Sequence, residues 1–483
     1  MISSPVSGGG ASTGIELAVG RPVDIAINHD PAAIAMHKAN HPFTKHYCES
    51  VWDVDPRKAT EGKPVGLMWL SPACIHFSRA RGGTPVTKQM RGLAWVAVRW
   101  AATVRPRVVI LENVSEFQTW ARVINGQPDK KQSGRIFNSF VNALRYQGYA
   151  VDWRELRACD YGAPTIRKRL FLIARRDGEP IVWPKPTHAA PESPEVRKGK
   201  LKPWRTATEI IDWSIPCPSI FDTAEEIWQK YHVRAVRPLA EATLRRIARG
   251  IQKFVIDNPE PYIIKFQQNS IGQKASQPLD TVMAGATRFG VVAPTLIQYH
   301  GGQDSREIRG QAINAPLMTA DTSNRYGLVT AFISKFYGTS TGQPMTEPLH
   351  TVTVSPGHFG EVRALLIKYY GNGGGQLITE PLHTITGNDR FGLVTIRGEQ
   401  YAISDIGLRM LTPRELFNAQ GFPADYCIDV GPNGEPISKA DQVARCGNSV
   451  PPPFAEALVR ANLPEMCGKK ISSMAELEKE MAV

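Results

Sequence analysis

The chain has 483 residues, with 57 Lys and Arg against 45 Asp and Glu, for a formal net charge of +12. That length holds material for two or three domains, and a sequence pI near 9.3 suits a polyanionic partner. A membrane span is not expected, because the longest apolar helical stretch, Leu93 to Val104, is interrupted by Arg99. The start also lacks the basic-then-apolar pattern of a signal peptide. Seven cysteines, none at CxxC spacing, suggest neither a zinc site nor a disulfide frame and fit a reducing, cytoplasmic setting.

In chain order, a glycine-rich turn, Ser7-Gly8-Gly9-Gly10, follows the short stretch Ser4-Pro5-Val6. Val23–Ile27 is expected as a strand that ends in Asn28-His29-Asp30-Pro31, with a helix over Pro31–Asn40. The apolar run Gly66-Leu-Met-Trp-Leu70 predicts a short buried strand, broken at Ser71-Pro72. Beyond it lies the thiol of Cys74, at the head of a loop rich in Arg and Gly. A helix over Lys88–Val104 leads to a second apolar strand, Arg107–Leu111, which ends on Glu112-Asn113-Val114. A helix over Ile136–Gln147 and strands at Tyr149–Leu156 and Arg169–Ala174 complete the series. Such alternation predicts a mostly parallel sheet covered on both faces. Neighbouring strands would then deliver a thiol and a carboxylate to one sheet edge, where open α/β folds place their sites.

Residues 177–204 are Pro-rich and charged and read as an exit linker. Thr206-Ala-Thr-Glu209 has capping-box spacing ahead of a helix. Leu239–Val255 carries Leu244, Ile247, Ile251 and Phe254 on one helical face. A fourfold internal repeat then occupies about 261–396. Its copies open on apolar-aromatic runs, Tyr262–Phe266, Leu296–Tyr299, Phe332–Tyr337 and Leu366–Tyr370, and close on Phe289-Gly290, Tyr326-Gly327, Phe359-Gly360 and Phe391-Gly392. A period near 33 residues with β-branched runs and Gly-rich turns predicts small stacked β-units. His350 and His383 recur at equivalent places and read as structural. Finally, Thr412-Pro-Arg-Glu415 predicts an N-cap, a first-turn proline and a capping glutamate, in a helix that Gly421 and Pro423 end.

A lone cysteine is most often a small buried hydrophobe. Cys74 differs in its company, since Arg79 and Arg81 would favour the thiolate and the Glu112 strand end lies alongside.

These motifs, in this order, resemble those of the DNA cytosine-5 methyltransferases. Ser7–Gly10 looks like the family's glycine-rich first motif, and Pro72-Ala-Cys-Ile-His-Phe-Ser78 like its catalytic Pro-Cys motif. Glu112-Asn113-Val114 resembles its Glu-Asn-Val, and Tyr161-Gly-Ala-Pro-Thr-Ile-Arg167-Lys-Arg169 its paired-arginine motif. Leu411–Glu415 with Gln420-Gly-Phe-Pro423, and Gly447-Asn448-Ser-Val-Pro451, resemble the ninth and tenth motifs. The resemblance implies a Rossmann-like α/β domain dependent on S-adenosyl-L-methionine, with an inserted β-rich repeat region that acts as the target recognition domain. It implies Cys74 as the nucleophile at carbon 6 of a flipped-out cytosine, Glu112 on the base's N3 and amine, and Arg167 with Arg169 at its carbonyl oxygen. Gly8, Gly10, Asn28, Glu49, Asn448 and Val450 would hold the cofactor, and Ser78, Arg79 and Arg81 would touch DNA, with no metal.

Five departures stand out. Ser4-Pro5-Val6 replaces the usual Asp-Leu-Phe, on a strand expected to be cut short by Met1. Ala73 and Ile75 flank the cysteine in place of Pro and Gln, and Thr165 replaces the Gln of the arginine motif. Asn28 stands where an acid is usual.

The expected division is residues 1–190, the first part of the catalytic domain; 191–260, linker and helices; 261–396, the repeats; 397–465, the closing catalytic part; and 466–483, a tail. The partner would be duplex DNA, met by a monomer in a bacterial cell or a phage-infected host. Two other readings stand beside this one: an RNA cytosine-5 methyltransferase, and a cofactor-deficient DNA-binding relative.

Overall fold

The computed structural model describes residues 1–4, 8–72, 92–124, 127–210, 218–239 and 412–481, single positions around 212–216, 241 and 348, and the β-strands between 262 and 410. The chain divides into two compact units: Met1–Ile210 with Glu347–Pro356 and Thr412–Val483, and Ile211–Thr346 with Gly357–Leu411.

The first unit is built on a seven-stranded sheet. Its strands are β1 (Ile2–Ser4), β2 (Ile25–Ile27), β3 (Lys45–Tyr47), β4 (Leu67–Leu70) and β5 (Val108–Asn113), then a small hairpin, β6 (Val123–Ile124) and β7 (Gln127–Pro128), that stands apart, then β8 (Ala150–Arg157) and β9 (Lys168–Arg175). The strand order is β3-β2-β1-β4-β5-β9-β8. From β3 to β5 the strands run parallel, and β9 and β8 close the edge antiparallel. The first strand lies inside the sheet, paired on both sides: Ile2 pairs with both Ile25 and Met68.

Alternation along the strands assigns each side chain to a face. Met68, Leu70, Val109, Leu111, Leu170 and Leu172 join one core cluster with Trp100, Phe117 and Phe140, from the helices Trp95–Val104 and Arg135–Tyr146 and the 3₁₀ turn Ser115–Thr119. Leu67, Trp69, Val108, Ile110, Phe171 and Ile173 join the opposite cluster with Ile15 of helix α1 (Gly10–Val19) and Phe454 and Leu458 of helix Pro452–Asn462. Burying each of these large apolar side chains contributes roughly 1.5–3 kcal/mol. The returning C-terminal segment thus supplies half the cover of one face. Its approach to α1 is close, because a Cβ on Gly14 would lie 2.2 Å from Pro452 O.

Helix α2 (Pro31–Asn40) matches its expected bounds, with the Asp30 side chain accepting from Ala32 N at 2.9 Å and Pro31 at its first position. The helix Pro413–Gln420 likewise has the full Thr412–Glu415 capping box and ends at Gly421, φ 80°. By contrast, the helix expected from Thr206 is a short 3₁₀ turn, Ala207–Ile210. Glu209 does reach back to Thr206 N at 3.0 Å, but Pro216 and Pro218 follow too closely to allow a long helix. The stretch read as an exit linker is strapped to the domain: Trp183 Nε1 donates to Asp152 at 2.7 Å and Trp204 Nε1 to Asp160 at 2.9 Å.

In the second unit, Gly327–Lys335, Phe359–Lys368 and Glu399–Met410 form the middle of a five-stranded antiparallel sheet. The repeat shows in the register. Ile263 pairs with Gln273 and Lys265 with Phe289; correspondingly, Ile333 pairs with Gln343 and Lys335 with Phe359. The first and third opening runs thus take equivalent partners. The predicted helix Leu239–Val255, His350 and His383 lie outside the described residues apart from isolated positions.

Candidate active site

The described site residues sit at one edge of the sheet, beyond the C-terminal ends of the parallel strands, at the N-terminal end of the antiparallel β9, or in the segment packed against them. β1 has β2 on one side and β4 on the other, so the strand order reverses there, which is where doubly wound sheets open a crevice. Gly8 to Gly10 follow β1 at that point, Asn28 ends β2, Glu49 follows β3, Ser71-Pro72 follow β4 and Glu112 lies near the end of β5.

Glu112 and Arg169 are brought together. Glu112 pairs with Phe171 across the β5–β9 ladder, so Arg169, two residues on, is its diagonal neighbour on the same face. Arg169 Nε lies 3.0 Å from Glu112 Oε1, and both side chains are largely buried, 13% and 9% exposed. Arg167 is buried and lies beside the thiol of Cys446, on which its charge acts. The turn before it is fixed by backbone: Thr165 N donates to Ala163 O at 2.8 Å and Ala158 N to Arg167 O at 2.9 Å. Thr165, the residue that departs from the family pattern, is fully buried in that turn.

Cys74, Ser78, Arg79 and Arg81, with the loop carrying them, lie outside the described residues. The entry to that loop is described. Asn113 Nδ2 donates to Pro72 O at 3.2 Å, and its Oδ1 accepts from Val114 N at 2.9 Å. The end of β5 therefore holds the backbone two residues before Cys74. Among the described cysteines, burial pushes the Cys159 thiol up to about 12 and also raises those of Cys446 and Cys467, which disfavours their thiolates.

The cofactor candidates form two groups. Gly8 N donates to Ser449 Oγ at 2.8 Å, and Tyr426 Oη donates to Gly8 O at 2.9 Å. A Cβ at Gly10 would fall 1.9 Å from Val450 O; Gly9 adopts φ +79°, and a Cβ there would fall 2.1 Å from Tyr426 Oη. The glycines thus allow the tenth-motif segment to close on the turn, a packing reason the sequence did not reveal. Val450 is buried, while Asn448 is exposed at the end of helix Lys439–Asn448. On the other strands, Asn28 N donates to Tyr47 O at 3.0 Å, its Oδ1 accepts from Asp30 N at 3.0 Å, and Glu49 is exposed. Asp30 also forms an ion pair with Arg445, linking β2 to helix Lys439–Asn448.

Sequence reasoning missed a buried polar chain behind the glycine turn. His37 Nδ1 lies 2.8 Å from His46 Nε2, and His37 Nε2 lies 2.9 Å from Ser12 Oγ. His41 Nδ1 lies 2.7 Å from Glu16 Oε2, whose partner oxygen accepts from Val23 N at 2.8 Å. Burial holds His37 well below the usual histidine range and lowers His46 to about 4. The i, i+4 spacing of His37 and His41 was the available signal. The tail, helix Met474–Met481, covers this region: Asp425 accepts from Met474 N and Ala475 N, and Met474 and Leu477 line a small cavity with Glu16 and His41. Among the described residues, no cluster is arranged to hold a metal and no helix is long and apolar enough to cross a membrane.

The family model for C-5 cytosine-specific DNA methylase matches residues 6–253 and 361–463. Type II methyltransferase M.AgeI of Thalassovita gelatinovora is 27% identical over 250 residues, covering 50% of this chain and 51% of that protein. The match therefore spans about half the length of that relative. Type II methyltransferase M.AquIA of a Picosynechococcus strain is 27% identical over 44% of this chain and 87% of its own length. Among solved structures, the S. pombe Dnmt2 methyltransferase is 13% identical with a TM-score of 0.45, covering 96% of this chain and 98% of that one.

Proposed function

The chain belongs to the C-5 cytosine-specific DNA methylase family, and from that premise we propose that it transfers a methyl group from S-adenosyl-L-methionine to carbon 5 of cytosine in duplex DNA, with Cys74 as the transient nucleophile. The observation that carries this reading is the strand-end constellation: Glu112 paired with Arg169 at 3.0 Å, and Asn113 gripping the backbone of the Cys74 loop at Pro72.

Carbon 5 of cytosine is too weak a nucleophile to take a methyl group unaided. The Cys74 thiolate donates its electron pair to carbon 6, forming an S–C6 bond; the C5–C6 π electrons shift onto C5 and C4, leaving a C5=C4–N enamine that is nucleophilic at carbon 5. Glu112 engages N3 and the exocyclic amine, and Arg169, with Arg167 beside it, engages the carbonyl oxygen, so charge pushed into the ring meets fixed partners. After carbon 5 gains its methyl group, its proton leaves to a base. The electrons of that C–H bond then expel the thiolate from carbon 6, restoring the aromatic ring and free Cys74.

Bound S-adenosyl-L-methionine would supply the electrophilic methyl group. The strand ends fit such a group: a glycine turn at the order reversal, the Asn28 carboxamide at the end of β2, and the Glu49 carboxylate after β3. Gly8, Gly10, Asn448 and Val450 would complete its cradle. A stacked cytosine shields carbon 6, so the base must leave the helix at a cost of about a few kcal/mol. Ser78, Arg79 and Arg81 would close over it, and the repeats of 261–396 would read the flanking sequence.

Duplex DNA carrying 5-fluorocytosine tests the scheme, because fluorine cannot leave carbon 5 as a proton does. With S-adenosyl-L-methionine present, the wild-type chain is expected to become covalently attached through Cys74, and Cys74→Ser is not. A wild-type chain that methylates ordinary duplex yet never traps on the fluorinated one would overturn the covalent mechanism. If it methylates transfer RNA but not duplex DNA, the substrate assignment fails instead.

A further inference from the structure

The hairpin β6–β7 is assigned to neither the base pocket nor the cofactor turn. It leaves the sheet immediately after Glu112-Asn113-Val114 and the 3₁₀ turn Ser115–Thr119. Its root is fixed. Trp120 is 3% exposed and packs against Phe117, Trp95 and Phe140 at centroid distances of 5.3, 5.9 and 6.1 Å. Trp120 O accepts from Ile136 N at 3.0 Å, and Arg122 O accepts from Asp129 N at 2.8 Å, closing the neck. The preceding turn is tied to β8, with Gln118 Oε1 accepting from Trp153 Nε1 at 3.2 Å. Val123 pairs with Pro128 and Ile124 with Gln127.

The charge on this anchored projection is one-sided. Arg122, Lys130, Lys131 and Arg135 are all exposed. None of the four has a carboxylate partner among the described residues; Arg135 reaches only the Gln132 amide oxygen, at 3.2 Å. The single acid of the segment, Asp129, accepts from Lys131 N at 3.0 Å, capping the 3₁₀ turn Lys130–Gln132. By contrast, several other exposed basic side chains of the same unit are neutralised: Lys45 and Lys63 share Glu61, and Lys168 pairs with Glu155.

We propose that this hairpin is a duplex-backbone clamp, in which Arg122, Lys130, Lys131 and Arg135 bind phosphates beside the flipped base. Four unpaired cations on a rigid root lose little conformational freedom on meeting a phosphate backbone, and displacing condensed counterions drives the contact. Because the root is continuous with the strand that presents Glu112, a phosphate held here fixes the duplex relative to the base-binding groups. This assignment rests on the DNA methyltransferase reading above.

Binding of a labelled duplex by the full chain, measured by fluorescence anisotropy across a salt series, tests it. The variant Arg122→Gln/Lys130→Gln/Lys131→Gln is compared with a control, Lys38→Gln/Lys58→Gln/Lys63→Gln, that removes equal charge elsewhere. The hairpin variant is expected to raise Kd about tenfold or more at moderate salt and to flatten the slope of log Kd against log salt by about 0.9 per lost phosphate. Its KM for duplex should rise with Kd, while kcat at saturating duplex, S-adenosyl-L-methionine binding and Tm stay at wild-type values. Unchanged Kd and slope overturn the proposal, as does an equal change in the control or a loss confined to transfer RNA. A wild-type chain that neither binds nor methylates duplex would sink the parent reading instead, a result distinct from any of these.

Discussion

Arg169 and Glu112 meet at 3.0 Å because β9 runs antiparallel to β5 in a register that pairs Glu112 with Phe171. A one-residue slip would send one of the two through to the opposite face of the sheet. The pairing presents one carboxylate and one guanidinium side by side, which matches the N3, amine and carbonyl edge of cytosine. Replacing Glu112 by Gln keeps the shape and removes the charge. Methyl transfer is expected to fall by about 10²–10⁴-fold, the range typical for a positioned acid–base group, with S-adenosyl-L-methionine affinity retained. Single-turnover methyl incorporation measures it, and a wild-type rate would remove Glu112 from the chemistry.

Asn113 makes a second, quieter prediction. Its amide is the tie between β5 and the backbone that enters the Cys74 loop. Asn113→Ala leaves a buried carbonyl without that donor and should cost about 1–3 kcal/mol. The kcat should drop further than the stability loss alone explains, because the nucleophile's loop loses its anchor. Denaturant melts read alongside kcat separate the two effects; a stability loss with unchanged kcat would show that the tie is purely structural.

Gly10→Ala places a methyl group where Val450 O already sits, 1.9 Å from the position a Cβ would take. Backbone cannot yield as a flexible side chain can, so overpacking of about 1–3 kcal/mol or more is expected. Loss of cofactor binding should accompany a fall in Tm, whereas a wild-type Tm would mean that the tenth-motif segment does not close on the turn as described.

The buried histidines set a pH dependence. His37 and His46 both have folded pKa values below the unfolded value of about 6.5, with His46 at about 4. The unfolded chain therefore takes up protons first as pH falls. Their contribution is fully present above about pH 6.5 and is progressively lost as pH falls toward 4. Tm is expected to drop between pH 7 and pH 5, less steeply in His46→Gln. Parallel Tm–pH curves for variant and wild type would contradict the assignment.

Much of the catalytic unit was legible because its signals are local. Apolar runs named β4 and β5, Asp30-Pro31 began α2 where expected, and Thr412 with Glu415 formed the predicted box. The unit's long-range contacts were hidden. Nothing near Tyr426 announces that its hydroxyl reaches Gly8, nor near Arg445 that it pairs with Asp30. The tail looked uninformative, since a short charged helix shows its role only once Asp425 caps it and Leu477 meets the cavity beside His41. Thr206 misled for the opposite reason: a good cap ahead of a short 3₁₀ turn, with Pro216 and Pro218 close behind it.

Gly8 and Ser449 are bonded across 441 positions of sequence, and the helix that covers one sheet face comes later still, at Pro452–Asn462. On a ribosome, the early strands therefore emerge with α1 alone, and not yet Pro452–Asn462, to cover that side of the sheet. The missing cover and the brace for the glycine turn arrive together, once Ser449 to Asn462 have been made. Until then the uncovered apolar positions of that face would need shielding from aggregation, and the glycine turn would stay unbraced.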